Sequence, residues 1–238
     1  MAERGQLRAV ALTWQPLGAD HPLLNDVDLE IGAGDRVLLA GVSGAGKSTL
    51  LRAFAGGLED HTPGELTGEV TVGGVPAAAG RGDVGLVGQQ PFDSIVAETV
   101  GRDVAFGPEN LGLPVAEIRG RVAEALELVD FPFRTGHPTA ALSGGQAQRL
   151  ALAGALAMKP DVLLLDEPGA MLDAPSAARL REAVNDVVTR TGATLVVADH
   201  DISGWAGIVE RLVVIDSGCV LADGPFGDVL ETEGARLL

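Results

Sequence analysis

The 238-residue sequence has no tyrosine, a single cysteine (Cys219) and only 3% aromatic residues. With one cysteine the chain cannot form an intrachain disulfide, which fits a reducing compartment. No stretch reaches the roughly 18 uncharged apolar residues that a membrane-spanning helix needs. The N-terminal apolar run is too short for a secretory signal peptide and follows an acidic residue, so we expect a cytoplasmic protein.

Basic residues are scarce: 17 Lys and Arg stand against 33 Asp and Glu, a formal net charge of -16. Proteins that bind nucleic acid depend on clustered Lys and Arg, so the excess of acidic residues argues against a protein whose surface binds DNA or RNA. A local nucleotide site needs only a few donors and is not excluded. The 46% hydrophobic residues indicate a globular chain. Its length suits one large domain, or a domain with an inserted subdomain.

A phosphate-binding loop is indicated by residues 36–49, RVLLAGVSGAGKST. The apolar run at 36–40 predicts a buried strand, and G-x-x-x-x-G-K-S follows it and leads into a helical pattern. Glycines let the backbone approach phosphates closely, and the N–H groups at the helix start face the anion. Lys47, one of only two lysines, is expected to contact the β- and γ-phosphates, and Ser48 to bind Mg²⁺. The predicted nucleotide-binding residues are Gly41, Ser43, Gly44, Ala45, Gly46, Lys47, Ser48 and Thr49.

Two adjacent carboxylates, Asp166 and Glu167, follow an apolar run at 162–165. Such a run predicts a central strand that is covered on both faces. We expect Asp166 to hold Mg²⁺, directly or through water, and Glu167 to orient or deprotonate the attacking water. A plain solvated loop is the alternative, which the phosphate loop upstream disfavours.

A third segment, LSGGQ at 142–146, opens into another predicted helix at 146–158, which stops before Pro160. Taken alone, Ser-Gly-Gly before a helix is typical of an ordinary N-cap. In this order and spacing, however, the phosphate loop, LSGGQ and LLLDEP resemble the ATP-binding subunits of ABC transporters, whose signature sequence is LSGGQ. The resemblance extends from about residue 7 to the end of the chain.

The resemblance implies an α/β fold: a P-loop NTPase core with a mostly parallel sheet, an N-terminal antiparallel β layer and an inserted α-helical signature subdomain. It implies a single ABC-type nucleotide-binding domain over residues 1–238, with the subdomain at about 91–158, and ATP and Mg²⁺ as cofactors. Apolar runs at 194–198 and 212–216 predict further strands of the sheet.

The family's ATPase domains dimerise head to tail, so that the signature loop of one subunit covers the γ-phosphate bound to the other. For this chain the resemblance implies a partner ATPase, either a second copy or a related chain. The residues expected to act in trans are Ser143, Gly144, Gly145 and Gln146.

Three other residues match family positions, and a fourth, Trp14, lies near one. Gln89 resembles the glutamine that lies near Mg²⁺ and the attacking water, and His200 resembles the switch histidine that contacts the γ-phosphate; a purely structural histidine is the alternative. Asp173 fits the loop that communicates between the two sites. Trp14 stands two residues before Pro16, where the family has the tyrosine that stacks on adenine, so Trp14 either stacks on the base or belongs to the core.

Residues 95–113, IVAETVGRDVAFGPENLGL, resemble the energy-coupling-factor branch, which includes cobalt-type importers. This resemblance implies a peripheral ATPase at the cytoplasmic face of the membrane that powers uptake of a metal ion or vitamin through membrane-embedded subunits. The alternatives are an export ATPase and a soluble ATP-switched module. Soluble relatives usually add coiled coils, zinc modules or basic arms, none of which this acidic sequence carries.

Overall fold

The strands fall into two sheets with different burial patterns in the computed structural model, which describes residues 3–58, 63–79 and 82–237. The strands are β1 Leu7–Pro16, β2 Leu24–Ile31, β3 Arg36–Ala40, β4 Gly64–Val72, β5 Val75–Pro76, β6 Val84–Val87, β7 Val162–Asp166, β8 Thr194–Ala198, β9 Arg211–Asp216 and β10 Cys219–Pro225. The α-helices are α1 Lys47–Phe54, α2 Val100–Asn110, α3 Val115–Leu128, α4 Gly144–Ala157, α5 Ala174–Thr191, α6 Ile202–Trp205 and α7 Phe226–Leu237. Short 3-10 turns lie at Ala77–Ala79, Pro91–Ser94 and Thr139–Ala141.

The larger sheet has the order β10-β9-β3-β8-β7-β6, in which all neighbours are parallel except β10 and β9. Every residue of β7 and of β8 is buried, because layers cover both faces of a parallel sheet. The smaller sheet is antiparallel, with the order β2-β1-β4-β5. The predicted α/β fold class, with a mostly parallel sheet and an antiparallel layer, is confirmed.

Two hydrophobic clusters form the core, one on each face of the parallel sheet. One contains alternate residues of β3, such as Leu38, together with buried residues of α2 to α5. The other contains the remaining β3 residues, such as Leu39, with β1, β2 and α1. Side chains alternate across a strand, so β3 binds both layers to the sheet and fixes where the phosphate loop begins.

Helices α2, α3 and α4 lie in the connection between β6 and β7, the region where the sequence predicts an inserted α-helical subdomain. Helix α1 begins at Lys47, inside the phosphate-loop motif, and α4 begins at Gly144 rather than at 146. In both cases the motif residues themselves form the first helical turn. The first N–H groups of a helix have no hydrogen-bond partner inside the helix. In both loops these unpartnered N–H groups therefore belong to residues of the motif.

Candidate nucleotide site

The predicted site residues meet at one edge of the parallel sheet. Strands β3, β6, β7 and β8 are parallel, so the segments that leave their carboxyl ends lie side by side. The phosphate loop follows β3, Gln89 follows β6, Glu167 follows β7 and His200 follows β8. Topology thus brings together residues that are as far as about 160 positions apart in the sequence.

The phosphate loop needs glycine at two positions for reasons that the structure makes specific. Gly41 has φ +149°, and a Cβ there would overlap the Ile215 carbonyl oxygen of β9. Gly46 has φ +109°, and a Cβ would lie 2.7 Å from the Leu23 carbonyl oxygen. The loop is also held from outside, because the Gly218 N–H donates to the Ala45 carbonyl at 2.9 Å. The loop conformation therefore depends on the β9–β10 turn as well as on its own sequence.

Lys47 is buried to 7% exposure beneath the loop. Its Nζ donates to the carbonyl oxygens of Gly41 at 2.6 Å and Val42 at 3.0 Å. An ammonium group has three donors, so one is left for a phosphate oxygen. The loop carbonyls thus hold the charge in place before any nucleotide arrives.

Ser48 and Asp166 form the magnesium candidate, since the Ser48 hydroxyl donates to Asp166 Oδ1 at 2.9 Å. Mg²⁺ commonly takes one or two protein oxygens and completes its shell with phosphates and water, which this pair fits. Across the described residues there is no cluster of three His, Cys, Asp or Glu side chains that could hold a metal without a nucleotide. Burial raises the pKa of the Asp166 carboxyl; the Ser48 hydroxyl, Arg52 and Lys47 act in the opposite direction, and Glu167 adds to the rise.

The raised pKa predicts that Asp166→Asn stabilises the metal-free protein at neutral pH. A carboxyl whose pKa is raised on folding contributes stability at low pH, and that stability is lost as the pH rises through the folded-state pKa. The neutral amide retains the shape and does not suffer this loss. The midpoint of thermal unfolding, measured in EDTA, should be higher for the variant than for the wild type at pH 7.5, and the gap should shrink towards pH 4. Glu65→Gln, at an exposed carboxyl, is the control; an unchanged or lower midpoint for Asp166→Asn at pH 7.5 would contradict the prediction.

Glu167 is held in an unusual conformation at the end of β7. Its φ is +47°, a region that non-glycine residues seldom occupy, and its N–H donates to the Ala198 carbonyl at 2.7 Å. Its Oε2 accepts from Gln89 Nε2 at 2.8 Å. The contact joins the two side chains that the sequence assigned to the attacking water. Backbone strain of this kind is often found at functional sites.

His200 follows β8 and has a side chain that is 71% exposed. Its Nδ1 lies 3.5 Å from Oδ1 of Asp199, whose side chain is 4% exposed. The imidazole therefore projects from the edge of the sheet with a buried carboxylate behind it. Asp199 was not among the predicted site residues. The only sequence signal for it is its position beside His200, because its packing partner, Trp205, lies in a later helix.

The signature loop lies apart from the phosphate loop. Ser143 is exposed and its N–H is bound by Oε1 of Gln146 at 2.8 Å, which closes one side of a capping box at the start of α4. Among the described residues, none of the loop's hydrogen bonds reaches the phosphate loop. Gly145 instead approaches Leu172, next to Asp173, so closely that a Cβ would lie 3.0 Å from the Leu172 side chain.

Asp173 is the N-cap of α5, where its carboxylate accepts from the Ser176 N–H at 2.9 Å. Hydrogen bonds from Ser176 lower the pKa of the Asp173 carboxyl. The hydrogen bond from Ser176 thus fixes the C-terminal end of the segment from 169 to 173. It lies between the signature loop on one side and a cavity of about 280 Å³, lined in part by His200, on the other.

Trp14 lies in the core, which is one of the two roles that the sequence leaves open for it. Trp14 is 2% exposed and belongs to the core cluster between the two sheets. It lies on the same face of β1 as Leu12, and Gly64 lacks the side chain that would otherwise meet the indole ring. The tryptophan therefore contributes to packing of the antiparallel layer.

The fold and the site define an α/β protein with a P-loop nucleotide site. The family model described as "ABC transporter" matches residues 24–170. The cobalt import ATP-binding protein CbiO of Rhodobacter capsulatus is 41% identical over 231 residues, which cover 94% of this chain and 80% of that protein. A putative ABC transporter ATP-binding protein of Methanosarcina acetivorans is 37% identical over 237 residues, or 98% of this chain. This chain spans only 39% of that relative's length.

Two solved structures are similar over nearly the whole chain. CbiO1 from Clostridium perfringens, described as part of the ABC transporter complex cbiONQ, has a TM-score of 0.81 at 31% identity and covers 97% of this chain and 92% of its own. A dimeric structure of the ATP-binding cassette MJ0796 with ADP and Pi has a TM-score of 0.80 at 28% identity and covers 92% and 98%. The chain belongs to the ABC transporter family and is an ATP-binding ATPase of that family. Within the described ranges, no helix combines the length and apolar character needed to cross a bilayer.

Proposed function

We propose that the chain is the ATPase subunit of an importer and works as a head-to-tail dimer. The observation that carries the proposal is the separation of the two phosphate-facing helix starts. Lys47, Ser48 and Glu167 lie at the sheet edge, whereas the exposed Ser143 loop has no hydrogen bond to that site among the described residues. A dimer lets each signature loop reach the other subunit's nucleotide. The dimeric structure of the similar MJ0796 cassette supports the formation of a dimer.

In the proposed reaction the phosphate loop holds the triphosphate through its N–H groups and Lys47. Ser48 and Asp166, with Gln89 close by, would hold Mg²⁺, which would supply positive charge to neutralise the phosphates. Glu167 accepts a proton from the attacking water, which Gln89 helps to orient. His200 contacts the γ-phosphate from the neighbouring strand end.

The signature residues act on the partner's nucleotide in this scheme, and the segment ending at Asp173 links the two sites. The N-terminus of α4, with Ser143, Gly144, Gly145 and Gln146, brings a second set of donors to the γ-phosphate. Hydrolysis removes this phosphate and opens the dimer. The packing of Gly145 against Leu172 supports a coupling between the signature loop and that segment.

Ser143→Arg should lower ATP turnover by about 100-fold, a loss of the size that follows removal of a preorganised donor site. Binding of ATP by the isolated chain should change by less than about threefold, because Lys47 and the phosphate loop are untouched. Steady-state hydrolysis and equilibrium binding of a fluorescent ATP analogue measure the two effects. Ala116→Arg, which places the same side chain on the exposed face of α3, is the control. If binding falls as much as turnover, the signature loop does not act in trans.

We propose uptake of a metal ion or vitamin as the work that hydrolysis drives, with membrane-embedded partners and a peripheral location at the cytoplasmic face. The support is the stretch at 95–113 and the similarity to CbiO, a cobalt import protein, over 94% of this chain. The Glu167→Gln protein, purified with ATP and Mg²⁺ from its own detergent-solubilised membranes, should bring down a multi-span scaffold and a substrate-binding membrane subunit. Recovery of exporter subunits, or of soluble partners alone, would contradict the importer assignment and leave the ATPase chemistry intact.

A further inference from the structure

A buried polar pair lies directly behind His200. The Asp199 carboxylate accepts from Nε1 of Trp205 at 2.8 Å, and the indole is fully buried. The other oxygen of the Asp199 carboxylate, Oδ1, accepts the backbone N–H groups of His200 at 2.7 Å and Asp201 at 3.0 Å. A carboxylate has about four acceptor positions, two on each oxygen, so the two backbone N–H groups fill Oδ1, and Oδ2, which accepts the indole N–H, has one position left. The indole and the two backbone groups fix this carboxylate in one orientation.

The fourth donor that the geometry offers is the His200 ring, whose Nδ1 is 3.5 Å from Asp199 Oδ1. An exposed imidazole has several rotamers and two neutral tautomers, so by itself it does not present one defined atom to a ligand. Catalytic hydrogen bonds are often long in the free protein and tighten when substrate binds. A ring movement that brings Nδ1 to Oδ2 of Asp199 would complete the contact.

We propose that Asp199 is a positioning residue for His200, and that Trp205 holds Asp199 in place for this purpose. Asp199 accepts the Nδ1 proton, which leaves Nε2 as the ring atom that contacts the γ-phosphate. The inference rests on the proposed contact of His200 with that phosphate. It adds a second layer of two buried side chains to the site.

Other charged groups near the ring do not replace Asp199. The Asp201 carboxylate is occupied by Arg181 at 3.0 Å, the Ser203 hydroxyl at 3.0 Å and the Gly204 N–H at 3.1 Å. Arg181, from α5, lines the same cavity as His200 and is neutralised by that ion pair. Glu167, at the end of the neighbouring strand, accepts from Gln89. Of these carboxylates, Asp199 is the one that lies within 4 Å of a ring nitrogen.

Kinetics of a double-mutant cycle test the proposal. Asp199→Ala should lower kcat by about 10- to 100-fold, the usual effect of removing a partner that orients a functional histidine, with less than about a threefold change in the KM for ATP. In a His200→Ala background the same change should cost less than about threefold, because residues that act through one another are not additive. Asp201→Asn is the neighbouring-carboxylate control. Losses that multiply in the double variant would overturn the proposal.

A spectroscopic readout separates positioning from simple damage to the fold. The chain has four histidines, so ¹⁵N-histidine spectra contain four rings, and His200→Gln assigns the signal of interest. We expect Nδ1 of His200 to carry a proton in the wild type and to lose that preference in Asp199→Ala, with the circular dichroism spectrum unchanged. A wild-type ring protonated only at Nε2, or a signal unaffected by Asp199→Ala, would contradict the proposal.

Asp199→Asn with Trp205→Phe covers the case in which Asp199→Ala fails to fold. The asparagine oxygen can accept the two backbone N–H groups, but its NH₂ group would face the indole N–H and could not accept the ring proton. Trp205→Phe removes the conflict with the indole, so the double variant should fold, but it still lacks an acceptor for the ring, and its kcat should stay about 10- to 100-fold below that of the wild type. A kcat within about threefold of the wild type would overturn the role of Asp199. If His200→Ala alone keeps wild-type turnover, the proposed role of His200 is wrong; if it abolishes turnover and Asp199→Ala does not, only the inference about Asp199 fails.

Discussion

Glu167→Gln should lower ATP turnover by about 1000-fold, within the range for loss of a general base. The amide keeps the size of the side chain and can still bond Gln89, yet it cannot accept a proton from water. ATP binding should persist, because the phosphate loop and Lys47 follow a different strand, β3, from the one that ends at Glu167. Single-turnover hydrolysis measures the chemical step, and light scattering with ATP and Mg²⁺ should detect an accumulated dimer.

Glu182→Gln, at an exposed carboxylate on α5, is the control for this substitution. It should keep turnover within about twofold of the wild type, as surface substitutions usually do. Wild-type turnover in Glu167→Gln would remove Glu167 as the base. The contact with Gln89 would then be explained as a positioning interaction only.

Trp14→Ala should reduce the free energy of unfolding by about 3–5 kcal/mol, the usual cost of truncating a buried tryptophan. The ring fills the space between β1, β2 and Gly64, and the substitution leaves a cavity between the two sheets. ATP affinity of the folded fraction should change by less than about threefold, because the indole does not reach the nucleotide site. Urea unfolding and ATP titration at low temperature measure the two quantities.

Leu17→Ala is the control for Trp14→Ala, because Leu17 is 83% exposed in the loop that follows β1. It should alter the free energy of unfolding by less than about 0.5 kcal/mol. A Trp14→Ala protein with near wild-type stability and ATP affinity lowered more than about tenfold would restore the base-stacking role.

The phosphate loop could be predicted from the sequence because its chemistry is local. Close backbone approach, a helix start and one lysine must occur within about eight residues, and only a short motif satisfies all three. The acid pair after β7 was predictable for a similar reason, since an apolar run that ends in two carboxylates is unusual for a strand end. The α/β fold class followed from these segments together with the family resemblance.

The role of Trp14 could not be predicted from the sequence. An aromatic residue near the expected base position is compatible with stacking and with burial, and the two differ only in the face of β1 on which the ring lies. That face is set by pairing with β2 and β4 and by the missing side chain at Gly64, which is 50 residues away. Burial of the indole decides the question, because apolar area removed from water stabilises the layer.

The sequence by itself determined the class of protein, the phosphate loop, the acid pair and the signature loop, because each depends on residues that are neighbours in the chain. Only the tertiary structure decided which side chains meet across strands: Gln89 with Glu167, Ser48 with Asp166, and Asp199 with Trp205. The physical reason is the parallel sheet. Its strand order places distant segments at one edge, and strand order depends on packing of the whole core rather than on any local motif.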